Sequence, residues 1–456
     1  MDTIIEISQR LTTFVLCAAV AGSLYIPISA QAGATLKDIN FDGVNQTNAC
    51  GTCSPPDTHG AIGTTQFVQI VNRRVLVYAK TPVAGTTAPT LLKSSSLASF
   101  FGYTAQPLFD PRIVYDSTAN RWVITAEAMP ESATVQRQFI AVSRTADATG
   151  AFFVRNIDVN IRNNSDFWDY PQLGISENAI LITANIFQSP PPNPGPFLHS
   201  TLISIAKAPF YNNGTLSFRR FTGLSASSLA PPIVVGPSNG NTYLISAPSS
   251  GSVLKLYTLQ NAGTNDVLTG PIDIAVKPYV VPPSASQPGT TVKLDTLNSR
   301  FVNASLQKGD ALWQIHTVSG GGLPTPRYYL IDLGQKNVAW SNLFYASPTS
   351  NDFNASVTAT PGGIGLVTWS STDTNTMPQV RFAAQDVFGP FITVFYGSPA
   401  YTSPTFYAPT GAVVARWGDY SAITIDPSDT SKAWGTNQTV NSQTVWGSRI
   451  FKIGVP

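Results

Sequence analysis

The chain has 456 residues, with 27 Lys and Arg against 25 Asp and Glu for a net charge of +2. Only 11% of its residues are charged, about half the usual share, so nucleic acid is excluded as an electrostatic partner. With 34 Gly, 35 Pro and abundant Ser, Thr and Asn, the surface is polar but uncharged, as in many secreted β proteins, and no segment after residue 32 has the roughly 18 consecutive apolar residues of a membrane span.

Residues 1–32 read as a cleavable export signal. Leu11 to Ile26 is largely apolar and Ala30-Gln31-Ala32 supplies a small-residue cleavage pattern, although Asp2 and Glu6 accompany Arg10 where a positive leader is usual. Bulky Leu16 before Cys17 argues against a lipid anchor. The remaining chain, 33–456, is expected to be a single soluble domain, monomeric, secreted or periplasmic.

Past the signal, ATLKDINFDGV (34–44) reads as a strand, and Cys50 and Cys53 follow in C-x-x-C spacing. A thiol redox site needs that pair at the start of a helix, which lowers the thiol pKa. Here Ser54-Pro55-Pro56 follow, and Pro56 pushes Pro55 out of helical geometry. In an oxidising compartment the two cysteines are expected to pair as a structural disulfide.

From there one pattern recurs: a short apolar strand, a turn of Gly, Asn, Asp, Pro or Ser, and a second apolar strand. It occupies AIGTTQFVQIVN (61–72), VYDSTANRWVITAEA (114–128), LGISENAILITANIF (173–187), VVGPSNGNTYLISAP (234–248), FVNASLQKGDALWQIHTV (301–318), SVTATPGGIGLVTW (356–369) and AITIDPSDTSKAWGTNQ (422–438). Third strands such as VLVYAKT and FIAVSRT follow most of them, and fourths such as FFVRNID. Counted from residues 57, 110, 169, 230, 299, 352 and 419, the repeats recur every 53–69 residues. Seven units of about four antiparallel strands predict a seven-bladed β-propeller, all-β. A parallel β-helix would repeat at half this length, and a row of sandwich domains would need linkers. The last repeat lacks an outer strand, which residues 34–44 are expected to supply, closing the ring and removing a sheet edge.

In a propeller the innermost strands line a central channel, so the residues just before them crowd one mouth. Those residues are PDTHG (56–60), FDPR (109–112), WDYP (168–171), NDFN (351–354) and RWGDY (416–420). Asp57, Asp110, Asp169, Asp352 and Asp419 are therefore expected near one rim, with Arg112, Arg416 and His59 beside them. Facing carboxylates raise one another's pKa unless a cation neutralises them. Hard oxygen ligands suit Ca²⁺ or Mg²⁺, with Ca²⁺ the cofactor expected and Asp57, Asp110, Asp169 and Asp419 as its ligands. The plainer reading is that these aspartates cap tight turns. Trp168, Tyr170, Trp417 and Tyr420 read first as packing residues and second as a sugar platform.

Other motifs carry less. Gly236 to Gly240 matches G-x-S-x-G, but a strand follows where a nucleophile elbow needs a helix. His59, His199 and His316 are too scattered for a zinc site; His316 reads as a strand residue and His199 as part of a surface loop. Arg73-Arg74 and Arg219-Arg220 are isolated pairs. Sequons at Asn45, Asn163, Asn213, Asn303, Asn354 and Asn437 matter only in a glycosylating host.

SPPDTHGAIG, LFDPRIVYDSTANRW, DYPQLGISENAILITAN and RWGDYSAITIDPSD resemble a group of exported bacterial β-propeller proteins, many of unassigned activity, over nearly all of the chain after the signal. Their architecture is similar to the sialidase-like superfamily, whose Asp-box hairpin joins the third and fourth strands of a blade. SRTADATGAFF (143–153) is a looser version of that box, with Ser143, Asp147, Gly150 and Phe152 at altered spacing. From the residues before the inner strands, a binding propeller is expected to engage a glycan or protein ligand at one face through Asp57, His59, Asp110, Arg112, Asp169, Tyr170, Arg416, Asp419 and Tyr420. The alternative is an extracellular polysaccharide hydrolase or lyase with carboxylates at the channel mouth.

Overall fold

The computed structural model describes residues 34–160, 164–191, 195–236, 238–387 and 393–455. The expected export signal with Cys17, the sequon at Asn163 and Pro237 lie outside the described residues. The chain is all-β: its described helices, Gln46–Ala49, Leu97–Phe101 and Lys207–Tyr211, are single turns, and none is long and apolar enough to cross a membrane.

Strands run in antiparallel succession within each sequence repeat. The first unit is His59–Ile62, Gln66–Val71, Arg74–Pro82 and Pro89–Ser96; the second is Leu108–Asp116, Arg121–Ala128, Arg137–Ser143 and Phe152–Asp158. The third runs from Phe167–Ile175 to Phe218–Leu224, the fifth from Ser305–Lys308 to Asn337–Leu343, and the sixth from Asn351–Ala359 to Thr393–Tyr396. Middle strands such as Ala179–Phe187 are buried on both faces, which is why they read as unbroken apolar runs rather than as alternation.

The fourth unit departs from the expected hairpin. Pro232–Val234 does not ladder with Asn241–Ser246; only Ala230 bridges Ile245. The strand pairs sideways instead, parallel to Ile175 of the third unit and to Ser305–Gln307 of the fifth, fusing those two sheets into one of nine strands. The cause is local: Pro231 and Pro232 have no N–H to give to a ladder.

The seventh unit is Ala422–Ile425, Lys432–Ser442 and Val445–Gly454, and its outer strand is Thr35–Asp42, as expected. The pairing sets Phe41 opposite Ile450 and Asp42 opposite Arg449. Ile39 is fully buried in the adjoining core, and Arg449 holds Asp42 and Asn40 at 2.7 Å each.

Packing follows the order of the units around a circle. Among the described residues, seven apolar cores lie between consecutive units. Val68 and Ile113 meet between one and two, Ile140 and Ile182 between two and three, and Leu202 and Leu259 between three and four. Ile274 and Ile331 meet between four and five, Trp313 and Trp369 between five and six, and Phe382 and Phe451 between six and seven. The remaining core joins seven back to one, through Phe67 and Trp434 stacked at 5.4 Å. First strands of the units touch in the same cyclic order. At their far ends they enclose an apolar cavity of about 390 Å³, lined by Ile62, Val114, Ile233, Leu306, Val357 and Ile423.

Because the N-terminal strand completes the last sheet through a fully buried residue, Ile39→Ala is expected to lower stability by about 2–5 kcal/mol. Leu36→Ala, at a 37% exposed position of the same strand, should cost under about 1 kcal/mol. Urea unfolding midpoints of the two variants check the contrast.

Candidate functional site

The first strands of the units begin at a common end, where the backbone turns sharply. Asp57, Asp110, Tyr170, Ser228 and Asn354 hold corresponding places before units one, two, three, four and six, all with φ between 48° and 58°. In units two, three and six the residue sits where the ladder with the next strand slips, a bulge that re-aims side chains. Left-handed backbone costs a side chain about 1–3 kcal/mol and is borne best by Asp and Asn. This bulge corrects the register read from sequence. The counterparts of Asp57 and Asp110 are Tyr170 and Asn354, not Asp169 and Asp352.

A polar lattice joins these turns. Asn72 Nδ2 donates to Asp57 Oδ2 at 2.5 Å, and Asn72 Oδ1 accepts from the Asp110 N–H at 3.0 Å. Asp57 Oδ1 accepts from the Asp419 N–H at 2.9 Å, tying unit seven to unit one. The Tyr420 hydroxyl donates to Asp110 Oδ2, while its ring lies 3.2 Å from the Arg112 guanidinium and packs edge-on to Tyr170 at 5.4 Å. Arg112 is 1% exposed and donates to the Pro171 and Val302 carbonyls at 3.0 Å and to Asn303 Oδ1 at 3.2 Å. It bolts three units together through Nε and Nη1, while its buried Nη2 has no hydrogen-bond partner.

An outer layer lies over this lattice. Arg300 sits 4.8 Å from the Tyr170 ring centroid. Arg416, its side chain 49% exposed, pairs with Asp419 at 2.5 Å and with Asp295 at 3.4 Å. Asp169 is partly exposed beside them. Asp57, Asp110, Asp169, Asp419, Tyr170, Tyr420, Arg112 and Arg416 thus do come together as the sequence predicts.

Beneath Asp169 lies Glu127, next to the last residue of Arg121–Ala128. It is fully buried, and neither carboxylate oxygen makes a well-formed hydrogen bond, the Tyr170 N–H and the Asp169 carboxyl being its polar neighbours. Oxygens of Asp110, Glu127 and Asp169 all lie within 4.8 Å of one another, so this trio is the set that could hold a metal. It keeps Asp110 and Asp169 of the ligands expected from sequence and has Glu127 in place of Asp57 and Asp419. Burial, then Asp110 and Asp169, push Glu127 well above the usual carboxylate range. Burial, then Asp57 and Asp169, do the same to Asp110. Burial raises Asp169 to about 6, and burial followed by the Asp419 charge raises Asp57 to about 7.

Other expected site residues fall elsewhere. His59 is buried, and burial and then Arg112 hold it well below its ordinary pKa, so the neutral ring accepts from the Ile113 N–H at 3.4 Å and serves to join units one and two. Asp352 is fully buried under Trp369 Nε1 at 2.7 Å and the Ala346 N–H at 3.2 Å, the turn-capping role of the plainer reading. Trp168 and Trp417 are buried packing residues. His316 is a strand residue whose ring nitrogens meet Ser299 O at 2.7 Å and the Tyr329 hydroxyl at 3.1 Å. His199 is not in a loop; it lies within Phe197–Ala206 and is buried. Asp147 of the loose Asp-box accepts from Gln66 Nε2 at 2.7 Å, clamping the 143–153 turn to unit one. Gly240 turns straight into strand Asn241–Ser246, so no nucleophile elbow forms. Asn303, Asn354 and Asn437 are buried and closed to glycosylation.

Cys50 and Cys53 form the expected disulfide. The Cys53 carbonyl accepts from Trp446 Nε1 at 2.7 Å, so the crossing from strand Thr35–Asp42 into unit one is anchored on unit seven.

No family model and no curated protein matches the chain. Among solved structures it is similar to a Trypanosoma rangeli sialidase in complex with sialic acid, at 13% identity over 75% of this chain and 54% of that one, TM-score 0.42. This chain thus spans about half the length of that sialidase. It is also similar to the GH93 α-L-arabinofuranosidase of Fusarium graminearum, at 9% identity over 90% and 98%, TM-score 0.42. A third is an exo-β-1,3-galactanase from Phanerochaete chrysosporium, at 11% identity over 91% and 99%, TM-score 0.35.

Asp57 gives the site a pH signature. Folding raises its pKa from 3.8 to about 7, so its contribution to stability is complete below the unfolded value and is lost as pH rises through the folded one. In chelator, the thermal midpoint is expected to fall by a few degrees between about pH 5 and about pH 8, and Asp57→Asn should flatten that decline. A folded variant that keeps the full slope would assign it to another group.

Proposed function

We propose that this chain is an exported seven-bladed β-propeller that engages an extracellular glycan at the mouth of its central channel. The blade number is supported by the cyclic order of its seven apolar cores and by the N-terminal strand that completes the seventh unit. Export is supported by residues 1–32 and by the Cys50–Cys53 disulfide, a bond that persists in oxidising compartments.

One observation carries the choice of site. In a chain with only 11% charged residues, Asp57, Asp110, Glu127, Asp169, Asp295 and Asp419 gather at one end of the inner strands with Arg112, Arg300 and Arg416. The buried members make a rigid floor, while Asp169, Asp295, Asp419, Arg300 and Arg416 reach the surface. Fixed donors and acceptors in alternation are what a polyhydroxylated ligand can satisfy, and they leave little apolar surface for a protein partner.

Glycan cleavage is a second reading, favoured by an asymmetry. Asp169 and Asp419 come from different units and both reach the surface, but only Asp419 is clamped by an arginine. Two carboxyls in unlike settings are what acid–base hydrolysis of a glycosidic bond requires.

A glycan array probed with the purified protein is expected to give a defined set of bound glycans, and Arg416→Ala should weaken the strongest by about tenfold or more. No bound glycan, or unchanged binding by the variant, overturns the proposal. Reducing-end release from a bound glycan, abolished by Asp419→Asn, decides for cleavage; intact glycan decides for binding alone.

A further inference from the structure

We propose that Asp110, Glu127 and Asp169 are the protein ligands of a Ca²⁺ ion seated beneath the channel mouth. Glu127 carries the inference. It is the one acid of the strand RWVITAEA, it is 0% exposed, and neither of its oxygens makes a well-formed hydrogen bond, its polar neighbours being the Tyr170 N–H and the Asp169 carboxyl. A buried carboxylate with no partner is costly, and structures tolerate one where a cation completes it. The protein offers it none. Arg112 gives Nε and Nη1 to the Pro171 and Val302 carbonyls and the Asn303 side chain, and its buried Nη2 bonds to no carboxylate; Arg300 and Arg416 lie in the outer layer, over Tyr170 and against Asp419 and Asp295. What faces Glu127 is two further carboxyls, from Asp110 and Asp169.

The donor set selects the ion. All three ligands are carboxylate oxygens, and His59, the nearest imidazole in sequence to this rim, has Nδ1 engaged by the Ile113 N–H, so a hard cation is favoured over zinc or copper. Oxygens within 4.8 Å of one another match a Ca²⁺ sphere, in which ligands about 2.3–2.6 Å from the ion stand up to roughly 5 Å apart. Mg²⁺ demands near-ideal octahedral geometry at about 2.0–2.1 Å and gives up its water reluctantly, which suits three carboxylates fixed on separate strands less well than the more flexible Ca²⁺ sphere. Asp169 is partly exposed, which gives the ion a way in and leaves room for water to fill the remaining positions. The ion would also fix Asp169 under the surface layer of the mouth.

The site stands apart from the glycan reading, because it is measured with no glycan present. Equilibrium dialysis of chelator-stripped protein against CaCl₂ is expected to give one ion per chain, with MgCl₂ binding at least about tenfold more weakly. Glu127→Gln should weaken Ca²⁺ binding by about tenfold or more, whereas Asp273→Asn, at an exposed aspartate on the fourth unit, should leave it unchanged. In chelator Glu127→Gln should melt at or above the wild type, since it removes a carboxyl buried beside two others, and calcium should no longer raise its midpoint. Absence of Ca²⁺ binding by the wild type, or full binding by a Glu127→Gln protein with native circular dichroism, overturns the proposal.

Discussion

Everything at the functional end of this molecule follows from placing several carboxyl groups where the first strands of its units converge. Burying ionised carboxylates side by side is expensive in a low-dielectric interior, and the surrounding residues are disposed to offset that cost. Asn72 and the Asp419 N–H bond to Asp57, and the Tyr420 hydroxyl bonds to Asp110. Arg416 neutralises Asp419. Glu127 is the carboxyl group whose two oxygens both lack a well-formed hydrogen bond, and it directs attention to the trio it forms with Asp110 and Asp169.

The lattice sits on strands that are packed against neighbouring units. Each unit buries its faces against both neighbours, so no sheet supplies a core alone, and the N-terminal strand removes the edge that would otherwise remain on the seventh unit. Arg112 and Asp57 do the same at the mouth in polar terms, since their partners lie in other units. The carboxyl groups therefore meet at distances set by the packing of whole sheets rather than by one loop.

Much of this was legible in the sequence, and the failures have physical causes. Apolar strands and turn residues recur with a period, so the units, the closing strand and the gathering of Asp57, Asp110, Asp169 and Asp419 could be read directly. The positive-φ bulge at Asp110, Tyr170 and Asn354 could not, because it moves the register by one or two residues without altering the apolar pattern. Pro231 and Pro232 signalled an irregular fourth hairpin that the repeat pattern masked. Glu127 lies within a strand rather than before one, and a lone acid in RWVITAEA, with apolar or small neighbours on each side, was its available signal. Arg300 and Asp295 come from the segment between units four and five, which carries no repeat. The two cysteines form a disulfide beside the strand that joins the seventh unit, as the prolines after them and the expected export implied.

The central claim is that the buried carboxyls of Asp110, Glu127 and Asp169 stand together because a cation completes them. A crystal structure determined from calcium-containing solution tests it most directly. The account predicts an ion with calcium's anomalous signal about 2.3–2.6 Å from one oxygen of each residue. Carboxyl groups hydrogen-bonded to one another at about 2.5–2.7 Å with no ion between them would contradict it.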